Sequence, residues 1–423
     1  MSDGLPPRYP IQQPPRRGLA RRTARATFRK VDAVFSRNGP AFKQLAVSWA
    51  GNVAGDTLVA VGLAGTLFFS VPSSEARQEV AFFLLLTIAP FAIVTPLVGG
   101  LFSRFRGIYR MTLTLSSLLR TAVAIVMMFG LTTIWLYPLA FGMLVLSRLY
   151  GISKSSLLPV SLPQPVALVS ANALLARIAI LAGAVVLPLG ALAVQIDPAV
   201  ALALSAAFFA ISTVTSIGLP NPRTPVPAEG DILDTPWPTR PPAPRRALRL
   251  SRLATAGVRL LNGFLLLMLA FEFRDADARA LDFAALIGAA GIGYGLASLI
   301  SPVLERRIRE EPMVVAALAV EAAAAFIAAQ FFGLAAAAAL AAAAGLAWGT
   351  AKFAFDALLQ ATVPTEETGR AFTRSETLFQ LAWVVGALVP VGITIDAQIG
   401  LAIAGVAALA AQTTFVAGLL VER

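Results

Sequence analysis

Apolar stretches of roughly twenty residues recur along most of the chain, and a helix of that length spans the ~30 Å of hydrocarbon in a bilayer. Inside that hydrocarbon every backbone N–H and C=O must find its partner within the segment, which leaves helices as the natural solution. The stretches fall near 44–71, 80–102, 111–131, 135–153, 168–195 and 199–219, and again near 254–272, 283–304, 312–332, 334–353, 371–396 and 399–421. The alanine-rich run from Ala335 to Ala344 is the least apolar of them. Only 13% of the residues are charged and 57% are hydrophobic, too little polar surface for a water-soluble domain of about 25% charge. The expectation is an all-α integral membrane protein of twelve transmembrane helices.

Between the two sets of six lies one long polar segment, Pro220 to Arg252, with nine prolines, which cannot form one continuous helix. The chain therefore divides into a basic tail (1–43), a six-helix half (44–219), a Pro/Arg-rich linker (220–253) and a second six-helix half (254–423). The first forty residues carry Arg8, Arg16, Arg17, Arg21, Arg22, Arg25, Arg29, Lys30 and Arg37 and no apolar leader core, so the first span is expected to act as its own insertion signal. Lys and Arg collect on one side of the membrane: the tail, Arg104, Arg106, Arg110, Lys154, the linker, Arg306, Arg307, Arg309, Arg370 and Arg374. That bias places both termini and the linker in the cytoplasm of a cell (plasma or inner) membrane. The net charge of +11 then points to anionic lipid headgroups as partners, not to nucleic acid.

The two sets of spans share short strings in the same order. Ala50-Gly51 with Asp56 five residues after the glycine corresponds to Ala256-Gly257 with Asn262. Tyr150-Gly151-x-x-Lys154 corresponds to Trp348-Gly349-x-x-Lys352, GAVVLPLG from Gly183 to GALVPVG from Gly386, and Ser103-Arg104 to Glu305-Arg306. Parallel six-helix repeats with a site between them near the membrane midplane are a transporter architecture.

On these residues the sequence resembles the major facilitator superfamily, and its actinobacterial efflux-type members in particular. The loop GGLFSRFRGIYR matches the family's gating loop at Gly99, Arg104, Gly107 and Arg110, while Ser103 stands where the family has an aspartate. The resemblance implies that this loop latches the two halves, and the serine removes the acid that would do so. Arg148 with Gly151 resembles a fourth-helix arginine implicated in proton coupling. Gly183, Pro188 and Gly190, with Pro390 in the second half, resemble the glycine/proline string of antiporters at the seam of the fifth and eleventh helices.

Charges within the spans are costly and so mark partners or cavities. Asp56 lies about 18 Å along the first span, near the midplane, with Asn52 one turn away on the same face. The pair serves either helix packing or a proton or substrate site. Arg148 either snorkels to the interface or neutralises Asp56. Arg259 and Asn262 share a face of the seventh span and are candidates for the proton or substrate cavity, Lys352 and Asp356 stand four apart either as a local ion pair or as part of that cavity, and Glu376 joins the eleventh-helix seam. Arg120 and Glu321, in the third and ninth spans, are expected to be structural. With no Cys, no His and no Gly-Lys-Ser/Thr loop, no metal site, cofactor or enzyme activity is expected, and proton coupling must run through carboxylates. The expected function is proton-coupled efflux of a small amphipathic compound by alternating access. The alternatives are an importer, or a non-transporting scaffold or sensor favoured by Ser103. Because the chain has no cysteine, Thr235→Cys tests the topology directly: an impermeant thiol reagent should label it in inverted vesicles and leave it unlabelled in intact cells.

Overall fold

The computed structural model describes residues 39–67, 108–131, 135–163, 168–220, 245–276 and 279–420. These form eleven α-helices: α1 Gly39–Leu67, α2 Tyr109–Phe129, α3 Leu136–Leu157, α4 Leu168–Ile196, α5 Pro198–Ile217, α6 Arg245–Asp275, α7 Ala280–Glu305, α8 Glu310–Gln330, α9 Leu334–Thr362, α10 Thr365–Gly392 and α11 Ala397–Leu420. Ten of them, α2 to α11, are long and apolar enough to cross a membrane. The span expected at 80–102 and the loop residues Gly99, Ser103, Arg104 and Gly107 lie outside the described residues. Among the described residues there is no β-strand.

Prolines set several helix ends. The linker expected to run to residue 253 gives way to helix at Arg245, immediately after Pro244, because nothing beyond that proline interrupts the backbone ladder. α9 continues to Thr362, nine residues past the expected end at 353, and stops where Val363 turns extended (φ −97°, ψ 129°) ahead of Pro364. At the opposite end of the bundle two aspartates start equivalent helices. Asp197 accepts from Ala199 N (2.6 Å) ahead of α5, and Asp396 from Gln398 N (3.0 Å) ahead of α11. Each follows an isoleucine, one between α4 and α5 and the other between α10 and α11, a further correspondence between the two sets of strings.

Helices α1 to α5 pack chiefly among themselves, as do α6 to α11, and the two groups meet mainly where α4 crosses α7 and α9 and where α3 crosses α10. In lipid, helix association rests on close packing at small residues more than on burial of apolar surface. Two helix pairs of the second group are built this way. A Cβ on Gly263 would strike the Trp383 carbonyl and one on Gly386 the Leu260 carbonyl, so α6 and α10 touch backbone to backbone. Gly293 against the Ala342 carbonyl and Gly345 against the Ala290 carbonyl bind α7 to α9 in the same manner. In the first group, Gly55 of α1 sits against the Phe209 ring of α5. Large apolar side chains such as Phe129, Val214, Ile287 and Phe331 point outward, as lipid-facing residues do.

Adding one methyl at Gly345 should therefore cost about 1–3 kcal/mol by overpacking and lower the melting temperature of the purified protein. Gly291→Ala on α7, where a Cβ meets nothing within 4 Å, should leave it unchanged. Equal melting of both variants would remove the backbone contact from the account.

Candidate functional site

The seam between the two helix groups encloses a cavity of about 340 Å³. The first group contributes Trp49 of α1, Ser147, Arg148 and Lys154 of α3, and Asn172 of α4. The second contributes Tyr294 of α7, Lys352, Phe353 and Asp356 of α9, and Phe372 and Glu376 of α10. The expected ion pair of Lys352 and Asp356 is present, with Nζ 2.5 and 2.6 Å from the two carboxylate oxygens. The same ammonium also reaches Glu376 Oε1 at 2.8 Å, so a single lysine is held between carboxylates from two helices. Arg148 and Arg259 both act electrostatically on Glu376. Arg259 lies over the rings of Trp348 (4.6 Å) and Trp383 (5.5 Å), a cation–π arrangement that houses a charge inside a membrane helix.

Lys154 is placed differently from its repeat partner Lys352. Its ammonium sits 4.2 Å from the Trp49 ring centre. Trp49 is itself fixed by donating to the Leu175 carbonyl (3.0 Å) and stacking on Tyr150 at 6.0 Å. The Tyr150 hydroxyl is tied in turn to Ser48 (2.8 Å), which bonds Ser212 of α5. A chain of polar contacts thus runs from the heart of the first group to the cavity wall.

Asp56 lies outside the cavity lining. Its ion partner is Arg120 of α2, the largest fully buried side chain, which also bonds Asn52 and lies 4.1 Å from the centre of the Phe209 ring. Asp56 also accepts from Ser147 Oγ (3.3 Å) and from Asn52 Nδ2 (3.4 Å). Where the sequence weighed Arg148 as a partner of Asp56, the structure pairs Asp56 with Arg120, because α2 turns this arginine inward toward α1. Ser147 alone belongs to both this network and the cavity lining. Asn262 is spent within its own helix, donating to the Val258 carbonyl (2.8 Å). Gly183 faces Thr57 of α1 across α4, and Pro188 and Pro390 lie inside α4 and α10. Arg110 donates to the Leu219 carbonyl at 3.3 Å.

The two groups are tied together at one end of the bundle, where α3 and α9 end and α4 and α10 begin. Glu305, at the end of α7, accepts from the backbone N–H groups of Val169 and Ser170 (3.0 Å each) and from Ser170 Oγ (2.5 Å). A carboxylate on the first-turn N–H groups of α4 satisfies orphan donors and suits the helix dipole. Asn172 donates to Gln360 (2.8 Å), Gln360 to the Ser155 carbonyl (2.9 Å), and Gly369 N to the Tyr109 hydroxyl (3.2 Å). Glu305 entered the sequence reading only as the repeat match of Ser103. That match was the available signal: the acid absent from the first loop stands at the equivalent place in the second repeat. Lys154 was visible as a basic residue of the membrane-orientation bias and as the repeat partner of Lys352, and Glu376 could not be joined to Lys352 without knowing which helices face each other.

No family model matches the chain. A Mycobacterium leprae protein of uncharacterised function is 30% identical over 385 residues, covering 82% of this chain and 66% of that protein. A Mycobacterium tuberculosis protein, also uncharacterised, is 33% identical over 392 residues, covering 84% of this chain and 70% of its own length. Among solved structures, the human organic anion transporter MFSD10 superposes with a TM-score of 0.66 at 16% identity, over 89% of this chain and 98% of that one. A bacterial homologue of the iron transporter ferroportin in the outward-facing state gives 0.65 at 17% identity, over 89% and 99%. The transporter FucP in its outward conformation gives 0.56 at 14% identity, over the same shares. The chain belongs to one family with these mycobacterial proteins, and its fold is that of the major facilitator superfamily.

Proposed function

We propose that the protein is a secondary transporter working by alternating access between two six-helix halves, and that it exports a small amphipathic compound in exchange for protons. The observation that carries this reading is the position of the charged, aromatic-lined cavity on the seam between the groups, just inside the end where Glu305, Gln360 and Tyr109 join them. By the Lys/Arg bias that end faces the cytoplasm, so the arrangement corresponds to a carrier shut on the inside. It agrees with the outward-facing states named for the ferroportin homologue and FucP. The same bias assigns the basic tail and linker to that side, where their charge suits anionic headgroups. A built cavity at the seam favours transport over the scaffold reading, for which an open internal site has no use.

Asp56 is the proposed carrier of the coupling proton. A proton on its carboxylate cancels the charge that holds Arg120, and Ser147 links that event to the cavity wall. Asp56→Asn keeps the size and much of the hydrogen bonding while removing the titrating group. In proteoliposomes screened with a compound panel, this variant should lose at least ten-fold in flux driven by a pH gradient while substrate exchange without a gradient persists. Wild-type pH dependence in the variant would move the proton to another acid, with Glu376 the first to test. Export against import is read in the same vesicles from the gradient direction that drives accumulation.

Glu305 gives a separate prediction. Glu305→Ala leaves the α4 N–H groups without their carboxylate and should favour the inward-open state. Cysteines introduced at the cytoplasmic end of the seam should then react with thiol reagents several-fold faster than in the same background with Glu305 intact. Unchanged labelling would reduce Glu305 to a helix cap with no hold on the conformational equilibrium.

A further inference from the structure

The two repeats supply equivalent lysines to one cavity, and among the described residues only one of them is ion-paired. Lys352 is bracketed by Asp356, four residues along its own helix, and by Glu376 from α10. Four residues beyond Lys154 stands Leu158, fully buried in the apolar core. The repeat positions of Glu376 on α4 are Ala173 and Leu174, again without a carboxylate. Among the described residues no carboxylate lies within ion-pair distance of Lys154, whose contact is the face of Trp49. An aromatic ring tempers an ammonium charge without cancelling it. Among the described residues lining the cavity, Arg148, Lys154 and Lys352 stand with the carboxylates of Asp356 and Glu376. An excess cation in a membrane cavity favours an anionic ligand, since the alternative is a charge left in a low-dielectric site.

Resting on the transporter reading, we propose that the substrate is an amphipathic organic anion, a carboxylate, sulfonate or phosphate ester on a flat apolar body. Its head occupies the place beside Lys154 where the first repeat lacks the acids of the second, and its body lies among Trp49, Tyr294 and Phe372. Lys154 is then the specificity-determining residue of the cavity, while Lys352 is its counterpart already paired with two carboxylates.

The test uses the full chain in nanodiscs at pH 7 and three probes of one shape: 2-naphthoate, neutral 2-naphthamide and cationic 2-naphthylmethylammonium. Empty nanodiscs correct for partitioning into lipid. Calorimetric titration should show naphthoate binding at least ten-fold tighter than either of the others. Lys154→Gln should bring naphthoate down to the level of the amide, and Lys154→Arg should retain most of the preference. Tighter binding of the ammonium, equal binding of all three, or a naphthoate affinity unmoved by Lys154→Gln would each overturn the proposal. Flux of the same radiolabelled probes in proteoliposomes separates this inference from the one beneath it. Transport of the ammonium in preference to naphthoate leaves the transporter and removes the anion site. Lysine-dependent naphthoate binding without flux of any probe keeps the site and removes transport. Neither binding nor flux of any probe removes both.

Discussion

A charge placed in hydrocarbon must be met by another group, at a cost of roughly 2.5–3.5 kcal/mol if it is not, and that requirement organises this molecule. Arg120 is met by Asp56 and Asn52, Lys352 by Asp356 and Glu376, Arg259 by two indole rings, and Glu305 by the amides that open α4. Most of these solutions join different helices. Each therefore fixes a helix rotation as well as a charge, since α1 cannot turn about its axis without parting Asp56 from Arg120. The polar residues are sparse, but they set which faces of otherwise interchangeable apolar helices look at one another.

The same requirement explains what could be read from the sequence. Span length and proline position are properties of single segments, so eleven of the twelve expected spans fall on described helices, and Pro244 and Pro364 mark helix starts once their flanking residues are considered. The pair of Lys352 and Asp356 was legible because four residues is one helical turn. The partner of Asp56 was not, because depth in the membrane suggested Arg148 while the answer depended on the rotation of α2. Glu376 reaches Lys352 from a neighbouring helix, and no spacing along the chain encodes that contact.

Internal repetition carried more information than any single motif. Corresponding strings paired Lys154 with Lys352 and matched Glu305 to Ser103; the structure puts both lysines on one cavity and adds the capping aspartates Asp197 and Asp396 as a further pair. The departures from symmetry are as informative as the matches. Where the second repeat neutralises its lysine twice over, the first leaves it on a tryptophan face. Duplicated architecture supplies two similar walls, and chemical difference between them gives the cavity a direction.

The glycine contacts of the second group carry a mechanical consequence. Main chain pressed on main chain at Gly263, Gly386, Gly293 and Gly345 leaves α6 with α10, and α7 with α9, no soft layer in which to slide. In the first group Gly51 of α1 lies against the Phe208 carbonyl and Gly55 against the ring of Phe209, both on α5. Glycine contacts thus tie helices in pairs within each group, α1 with α5 as well as α6 with α10 and α7 with α9, so that a change at the seam between the groups moves such a pair as one piece.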